Sequence, residues 1–156
     1  EQGVEVIEIV PFGIDFINEP ELIDQCLETA ARVGVTIDNF SLNANFLQIT
    51  EEEYDAEIER VKTYIDISAK LQVSTMRVDC SAFRRPIETN TTAHFIQELP
   101  TVIKTYETLC DYAAQYDITI LLENHGFHIN GSERTGLRHH DPHEGLLYPP
   151  RRPRSG

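Results

Sequence analysis

The stretch from Ile118 to Gly126 places a carboxylate, an amide and an imidazole directly after a short apolar run. Such a run, bounded by turn signals, predicts a buried strand of a parallel sheet. Because side chains alternate along a strand, Glu123 and His125 are expected on one face and Asn124 on the other. A carboxylate and an imidazole that point the same way at the end of a strand are groups suited to acid–base chemistry. The stretch therefore predicts a functional site.

Polar residues also accompany two earlier apolar runs. Glu8 lies among the valines and isoleucines of residues 4–10, so we expect a nearly buried carboxylate that needs a cation, a metal or hydrogen-bond donors. This describes either a salt bridge at the end of the sheet or a part of a substrate site. Asn43 and Asn45 follow the run that ends near Leu42, and such residues either form a turn or bind substrate.

Arg77 and Asp79 share one face of a strand predicted over residues 74–79. The simpler interpretation is that they neutralise each other, or that Arg77 pairs with Glu8 on a neighbouring strand. Alternatively, Arg77 forms an anion clamp for a phosphate or for sugar hydroxyls, because a guanidinium offers forked donors. The sequence leaves these interpretations open.

The elements that must position these residues alternate between strands and helices. Strands are predicted to begin near residues 4, 35, 74 and 118, and helices over 20–33, 51–71 and 99–115, the last with Pro100 in its first turn. Thr50 and Glu53 predict a capping box at the start of the second helix. This alternation predicts right-handed crossovers and a parallel sheet. Polar residues at successive strand ends are how a (β/α)8 barrel builds a site, so the fold class is α/β, a partial TIM barrel.

Composition excludes several classes of function. The 156 residues carry a net charge of −13, which argues against nucleic acid or an anionic membrane as a partner. No apolar run approaches the length of a membrane span. Three cysteines without zinc spacing predict reduced thiols in a cytoplasmic protein. No dinucleotide-binding or P-loop motif follows any predicted strand.

Composition changes near Thr135. Residues 136–156 carry four Arg, two acids, three His and four Pro, whereas residues 1–135 carry 9 basic and 24 acidic residues. The last stretch has neither helical nor strand periodicity. We therefore predict a partial barrel domain over residues 1–135 and an irregular basic Pro/Arg/His tail over 136–156, non-native or disordered.

The Glu-Asn-His-Gly segment at residues 123–126, the run that follows it and the earlier Met-Arg-Val resemble sugar phosphate isomerases/epimerases. These are xylose isomerase-like TIM barrels, and the resemblance covers about residues 1–135. It implies that the four strands correspond to barrel strands 2 to 5. It also implies that Glu123 is both a catalytic base and a ligand of a divalent metal (Mn, Mg, Co or Zn). Asn124 and His125 would line the pocket, and Glu8 and Arg77 would support the substrate or the residues around it. Asn43 remains a candidate for substrate binding from its place in the loop after the second strand.

The family's other metal ligands come from strands 6 to 8, so we expect a fragment that is inactive by itself and binds no metal tightly. The expected function of the complete protein is metal-dependent isomerisation or epimerisation of a sugar or sugar phosphate by proton transfer next to a carbonyl. The alternatives are an endonuclease IV-like DNA repair enzyme, which the net charge disfavours, and a non-catalytic sugar-binding domain. Whether the chain acts as an enzyme stays open. Two bare sheet edges also predict marginal stability or an edge-to-edge homodimer.

Overall fold

The computed structural model describes residues 3–81, 86–89 and 91–123 of the chain. Strands and helices alternate throughout this part, as the sequence predicts. In chain order the elements are β1 (Val6–Ile9), α1 (Glu21–Val33), β2 (Thr36–Leu42), α2 (Glu51–Lys70), β3 (Thr75–Val78), a 3-10 turn (Ile87–Thr89), α3 (Thr92–Ala113), a second 3-10 turn (Ala114–Tyr116) and β4 (Thr119–Leu121).

The four strands form one parallel sheet in the order β1-β2-β3-β4. Each strand therefore lies beside the next strand in the sequence, which is the arrangement of consecutive units in a (β/α)8 barrel. The predicted partial barrel of four parallel strands is confirmed. All four strands end at the same edge of the sheet, so the residues that follow them are brought together.

The helices cover one face of the sheet, which we call the outer face, and the hydrophobic core lies between them. Phe40 of β2 and Met76 of β3 are fully buried there. They are neighbours in the strand register and meet helix residues such as Ile65 and Leu109. The opposite face, which we call the inner face, carries mostly polar side chains and faces the axis of the barrel that these strands begin to form.

A register shift in β2 decides which side chains reach the inner face. Ile7 pairs with Ile37 but Glu8 pairs with Asn39, so Asp38 is an extra residue opposite β1. An extra residue of this kind reverses the alternation of the strand beyond it. Ile37 before the shift and Phe40 after it can therefore both be buried, and Asn39 joins Glu8 on the inner face.

The start of α2 is confirmed in detail. The Thr50 side chain accepts a hydrogen bond from the Glu53 backbone amide at 3.2 Å, and the Glu53 carboxylate accepts one from the Thr50 amide at 2.8 Å. These two bonds satisfy amides that the first turn of a helix leaves without partners.

The predicted start of α3 is wrong. The helix begins at Thr92, seven residues before the predicted start, and Thr91 caps it by accepting a hydrogen bond from the His94 amide. Pro100 consequently lies inside the helix and not in its first turn. Only one hydrogen bond is lost where proline lacks its amide proton, and the long helix after it supplies enough buried surface to tolerate that loss.

In the part of the chain that the structure describes, no helix is both long and apolar enough to cross a membrane.

Candidate functional site

Arg77 connects the ends of β3 and β4 on the inner face. Its Nη1 atom lies 2.5 Å from Oδ1 of Asp79 and 3.0 Å from Oε2 of Glu123. The side chains of Arg77 and Asp79 are 17% and 20% exposed, whereas that of Glu123 is 45% exposed. The predicted neutralisation of Arg77 by Asp79 is therefore present, and it is shared with Glu123. One guanidinium nitrogen serves two carboxylates.

The backbone that carries Arg77 is fixed from the outer face. The hydroxyl of Tyr106 on α3 donates a 2.6 Å hydrogen bond to the carbonyl of Val78, and both residues are buried. Burial is the main reason why the pKa of Tyr106 lies well above its usual value, so this hydroxyl stays protonated and can donate. This bond ties the end of β3 to α3 and limits the movement of Arg77.

Glu8 lies in a hydrogen-bond network that crosses three strands. Its Oε2 accepts hydrogen bonds from Nδ2 of Asn39 at 2.9 Å and from Oγ of Ser41 at 2.8 Å. Asn39 in turn accepts a 3.0 Å bond at Oδ1 from the hydroxyl of Thr75. The network holds the carboxylate in one orientation on the inner face.

The structure corrects the expectation that Glu8 is nearly buried. Glu8 is exposed, and so are Val4, Val6 and Val10, which the sequence places on the same face of the run. The helices cover only the outer face, and among the described residues no element covers the inner face of β1. The need for hydrogen-bond donors was nevertheless expected correctly, because Asn39 and Ser41 supply them.

The pKa of Glu8 lies below its ordinary value, and the hydrogen bond from Asn39 is the largest cause. The hydrogen bond from Ser41 lowers the pKa less, and the charge of Arg77 lowers it less again. A carboxyl group with a lowered folded-state pKa stabilises the fold above its unfolded pKa of about 4.3. That contribution is lost as the pH falls through the lower folded-state pKa.

Substituting Ser41→Ala is expected to raise the pKa of Glu8 toward its ordinary value, because the variant removes one of the two donors to the carboxylate. NMR titration of the Glu8 carboxyl carbon measures this shift directly. Ser74→Ala is the matched control, since the Ser74 hydroxyl bonds to Asp38 and not to Glu8. An unchanged Glu8 titration in Ser41→Ala would contradict the assignment.

Asn43 lies exposed in the loop after β2, and the loop is attached to α2. The Asn43 carbonyl accepts a 2.7 Å hydrogen bond from Nη2 of Arg60, which also pairs with Glu57. The Glu57 carboxylate accepts a further 2.9 Å bond from the Asn45 amide. The loop thus has a defined position at the ends of the strands, while the predicted role of Asn43 in substrate binding stays a prediction.

Sequence reasoning missed two members of the inner face, Asn39 and Thr75. The polar residues at 39 and 41 alternate with Phe40 and Leu42, and this period of two was the available signal. The shift at Asp38 obscured the signal, because it breaks the alternation within one strand. Asn124 and His125, two predicted site residues, lie outside the described residues, as does the tail from 136 to 156.

A metal site needs several ligands held close together. Glu123 offers a carboxylate, a hard oxygen ligand of the kind that Mg²⁺ and Mn²⁺ prefer. Within residues 3–81, 86–89 and 91–123, however, no three His, Cys, Asp or Glu side chains are grouped closely enough to hold a metal ion. These residues alone therefore do not form a complete metal site.

Several solved structures share this fold. A xylose isomerase domain containing protein from Salmonella typhimurium is 18% identical with a TM-score of 0.55, and the match covers 80% of this chain and 41% of that one. A D-tagatose 3-epimerase-like protein is 20% identical with a TM-score of 0.53, covering 79% and 46%. A protein from Sinorhizobium meliloti is 9% identical with a TM-score of 0.54, covering 77% and 40%. The chain thus spans less than half of the length of each of these structures.

No curated protein is significantly similar to the chain in sequence. The sequence model of one family, described as xylose isomerase-like TIM barrel, matches residues 1–144. That match includes all four strands and the residues around Arg77 and Glu123. The chain therefore belongs to the xylose isomerase-like TIM barrel family.

Proposed function

We propose that the inner face forms part of the active site of a sugar or sugar phosphate isomerase or epimerase. Such an enzyme moves a proton next to a carbonyl group. The observation that carries the proposal is the convergence of Arg77, Asp79 and Glu123 at the ends of two neighbouring strands. A base and a fixed cation at the C-terminal ends of barrel strands are the groups that such a reaction requires. A fold shared with a D-tagatose 3-epimerase-like protein agrees with this class of substrate.

Each side chain has a defined part in the proposed reaction. Glu123 takes the proton from the carbon beside the carbonyl, and the electron pair of the broken C–H bond moves toward the carbonyl oxygen. Arg77 stabilises the negative charge that develops on that oxygen, because its guanidinium is held in place before the reaction begins. Glu8 and Asn43 bind hydroxyl groups of the sugar, as do Asn124 and His125.

If the proton held by Glu123 exchanges with solvent before it returns to the same carbon, the sugar takes up a solvent hydrogen at that carbon. Epimerisation needs, in addition, an acid on the opposite face of the sugar. By family resemblance, Glu123 is also one ligand of a divalent metal (Mn, Mg, Co or Zn). Such a metal supplies Lewis acidity when it is bound, and its other ligands come from outside the described residues. The exchange step needs only one base and one cation, so the chain itself can be tested for it.

The test is proton exchange with solvent in D2O. The chain is incubated with D-fructose, D-tagatose or their phosphates, with and without divalent metals, and mass spectrometry detects deuterium in the recovered sugar. Although the chain by itself is not expected to convert one sugar into another, we expect deuterium incorporation at the carbon beside the carbonyl and a loss of about a hundredfold or more in Glu123→Gln. Glu107→Gln, an exposed carboxylate on α3, is the matched control and should exchange like the unaltered chain. Absence of exchange by the unaltered chain, or full exchange by Glu123→Gln, overturns the proposal.

A second candidate is a sugar-binding domain without catalysis. The observation in its favour is that Arg77 pairs directly with Glu123, so an ion pair already occupies the carboxylate that would act as the base. Binding of the same sugars, measured by NMR shifts of inner-face residues, without any deuterium incorporation would favour this candidate over the first.

A further inference from the structure

Tyr106 of α3 reaches the candidate site from the side opposite to its charged groups. Its side chain is only 3% exposed, and its hydroxyl donates the 2.6 Å hydrogen bond to the Val78 carbonyl. Val78 lies between Arg77 and Asp79 in the chain, and the side chains of those two residues form the ion pair on the inner face. One hydroxyl therefore holds the stretch of backbone from which both charged side chains extend.

The Val78 carbonyl also points toward β4. The Ser74 carbonyl, just before β3, accepts a 2.9 Å hydrogen bond from the Thr119 amide, so the backbone groups of Ser74 face β4. Backbone groups alternate in direction along a strand, and those of Val78, four residues later, therefore face β4 as well. Counted in the same steps of two from Thr119, the amide opposite the Val78 carbonyl is that of Glu123. The Tyr106 hydroxyl thus binds β3 at the position that faces the backbone of Glu123.

The electrostatics of Tyr106 also place its hydroxyl close to the ion pair. Burial is the largest cause of the raised pKa of Tyr106. The charge of Asp79 raises this pKa further, whereas the charge of Arg77 lowers it. The hydroxyl is therefore near enough to sense both charges, and it remains a protonated donor to the Val78 carbonyl at neutral pH.

Helix α3 gives Tyr106 a fixed base. Leu109 and Ala113 of this helix are fully buried in the core, and so is Thr105, the residue next to Tyr106. The Thr105 hydroxyl lies 2.9 Å from the hydroxyl of Tyr54, and this hydrogen bond joins α3 to α2. A side chain that packing and hydrogen bonds hold on a rigid helix can fix the geometry of the groups that it contacts.

We propose that Tyr106 is a positioning residue of the proton transfer, an inference that rests on the proposed function. By holding the Val78 carbonyl, Tyr106 sets the separation between the ends of β3 and β4. That separation in turn sets the 3.0 Å contact between Arg77 and Glu123. Tyr106 acts through these two groups and does not touch the sugar. Its effect on the rate can still be large, because misplacing reacting groups by about 1 Å can slow a reaction by about a hundredfold.

Tyr106→Phe tests this role because it removes the hydroxyl and keeps the ring. The first measurement needs no sugar, since NMR follows the exchange of the Arg77 guanidinium protons with water. We expect this exchange to be about fivefold faster or more in Tyr106→Phe, because the contact between Arg77 and Glu123 opens more often. Tyr112→Phe is the matched control and should exchange like the unaltered chain. The Tyr112 hydroxyl, on the same helix, bonds to Asp66 of α2 and not to a strand.

The second measurement is deuterium incorporation from D2O at a series of sugar concentrations. In Tyr106→Phe we expect the rate at saturating sugar to fall about tenfold, and the concentration that gives half of this rate to change by less than about twofold. The reason is that Arg77 meets the developing negative charge chiefly in the transition state. Circular dichroism spectra like that of the unaltered chain exclude a loss of folded protein as the cause.

Each contrary result overturns the proposal in a different way. Unchanged exchange of the Arg77 protons in Tyr106→Phe, or an equal change in Tyr112→Phe, shows that the Tyr106 hydroxyl does not position Arg77. Faster proton exchange without slower deuterium incorporation shows that this positioning does not serve the reaction. If the unaltered chain incorporates no deuterium while the Arg77 protons respond to Tyr106→Phe, the proposed function fails, and the role of Tyr106 in proton transfer fails with it.

Discussion

Substituting Phe40→Ala is expected to lower the free energy of unfolding by about 3–5 kcal/mol. Phe40 is fully buried on the outer face of β2. Its ring lies between those of Phe16 and Tyr64, with centroid distances of 6.0 Å and 5.7 Å. The substitution removes both ring contacts and leaves a cavity that the sheet and α2 cannot close without moving. Since whole domains are stable by only about 5–15 kcal/mol, the variant should lose a large share of its stability.

Urea denaturation followed by circular dichroism measures this loss. The variants are compared at one protein concentration, because association would make the midpoint depend on concentration. Phe12→Ala is the matched control, since the Phe12 ring is 81% exposed and its removal should change stability by no more than about 0.5 kcal/mol. Similar losses in the two variants would contradict the assignment of Phe40 to the core.

The sequence predicts the fold well because each element carries its own periodic signal. β-Branched residues occur in all four strands, and apolar residues repeated at helical spacing mark the three helices. The capping box at Thr50 fixes the start of α2 to the residue, because the side chains that satisfy the first amides are adjacent in the sequence. Local signals of this kind need no knowledge of distant contacts.

The start of α3 shows where a local signal misleads. Pro100 favours a helix start, so the sequence predicts that it lies in the first turn of the helix. The cap at Thr91 and the buried side chain of Phe95 extend the helix by two turns before the proline. Packing of Phe95 against the rest of the protein is a tertiary contact, and it outweighs the local cost of the proline.

The site is less predictable than the fold because its contacts join different strands. The alternation of side chains correctly put Arg77 and Asp79 on one face, since both belong to the same strand. The contact of Arg77 with Glu123 depends on the register of β3 against β4, which a single sequence does not contain. The exposure of Glu8 likewise depends on what covers the inner face. Strand alternation therefore predicts orientation, whereas partners and burial require the assembled sheet.

At Arg77 the inner face would link the stability of the fold to the proposed function. The guanidinium of Arg77 contacts both Asp79 and Glu123. Its charge also helps to keep the pKa of Glu8 low. Without this cation, three carboxylates on the inner face would repel one another at neutral pH. The same charge that stabilises the fold is the charge that the proposed reaction uses to stabilise a developing oxyanion.

Arg77→Gln is expected to lower the free energy of unfolding by about 2 kcal/mol at pH 7, because it removes the ion pair between Arg77 and a partly buried Asp79. The difference from the unaltered chain should shrink as the pH falls. The charge of Arg77 helps to hold the folded-state pKa of Glu8 below its ordinary value, so this part of the stabilisation is present above pH about 4.3 and is lost as the pH falls through the folded-state pKa. Denaturation at a series of pH values measures this trend.

Two further variants separate charge from shape. Arg32→Gln removes an exposed arginine from the end of α1, and the change in stability should stay within about 0.5 kcal/mol at every pH. Arg77→Lys keeps the charge but loses the forked guanidinium, a loss that is serious where both branches bind. Because a single atom, Nη1, contacts both Asp79 and Glu123, we expect lysine to retain most of the stability that glutamine loses. Equal losses in Arg77→Lys and Arg77→Gln would show instead that guanidinium geometry, and not its charge, holds the ends of β3 and β4 together.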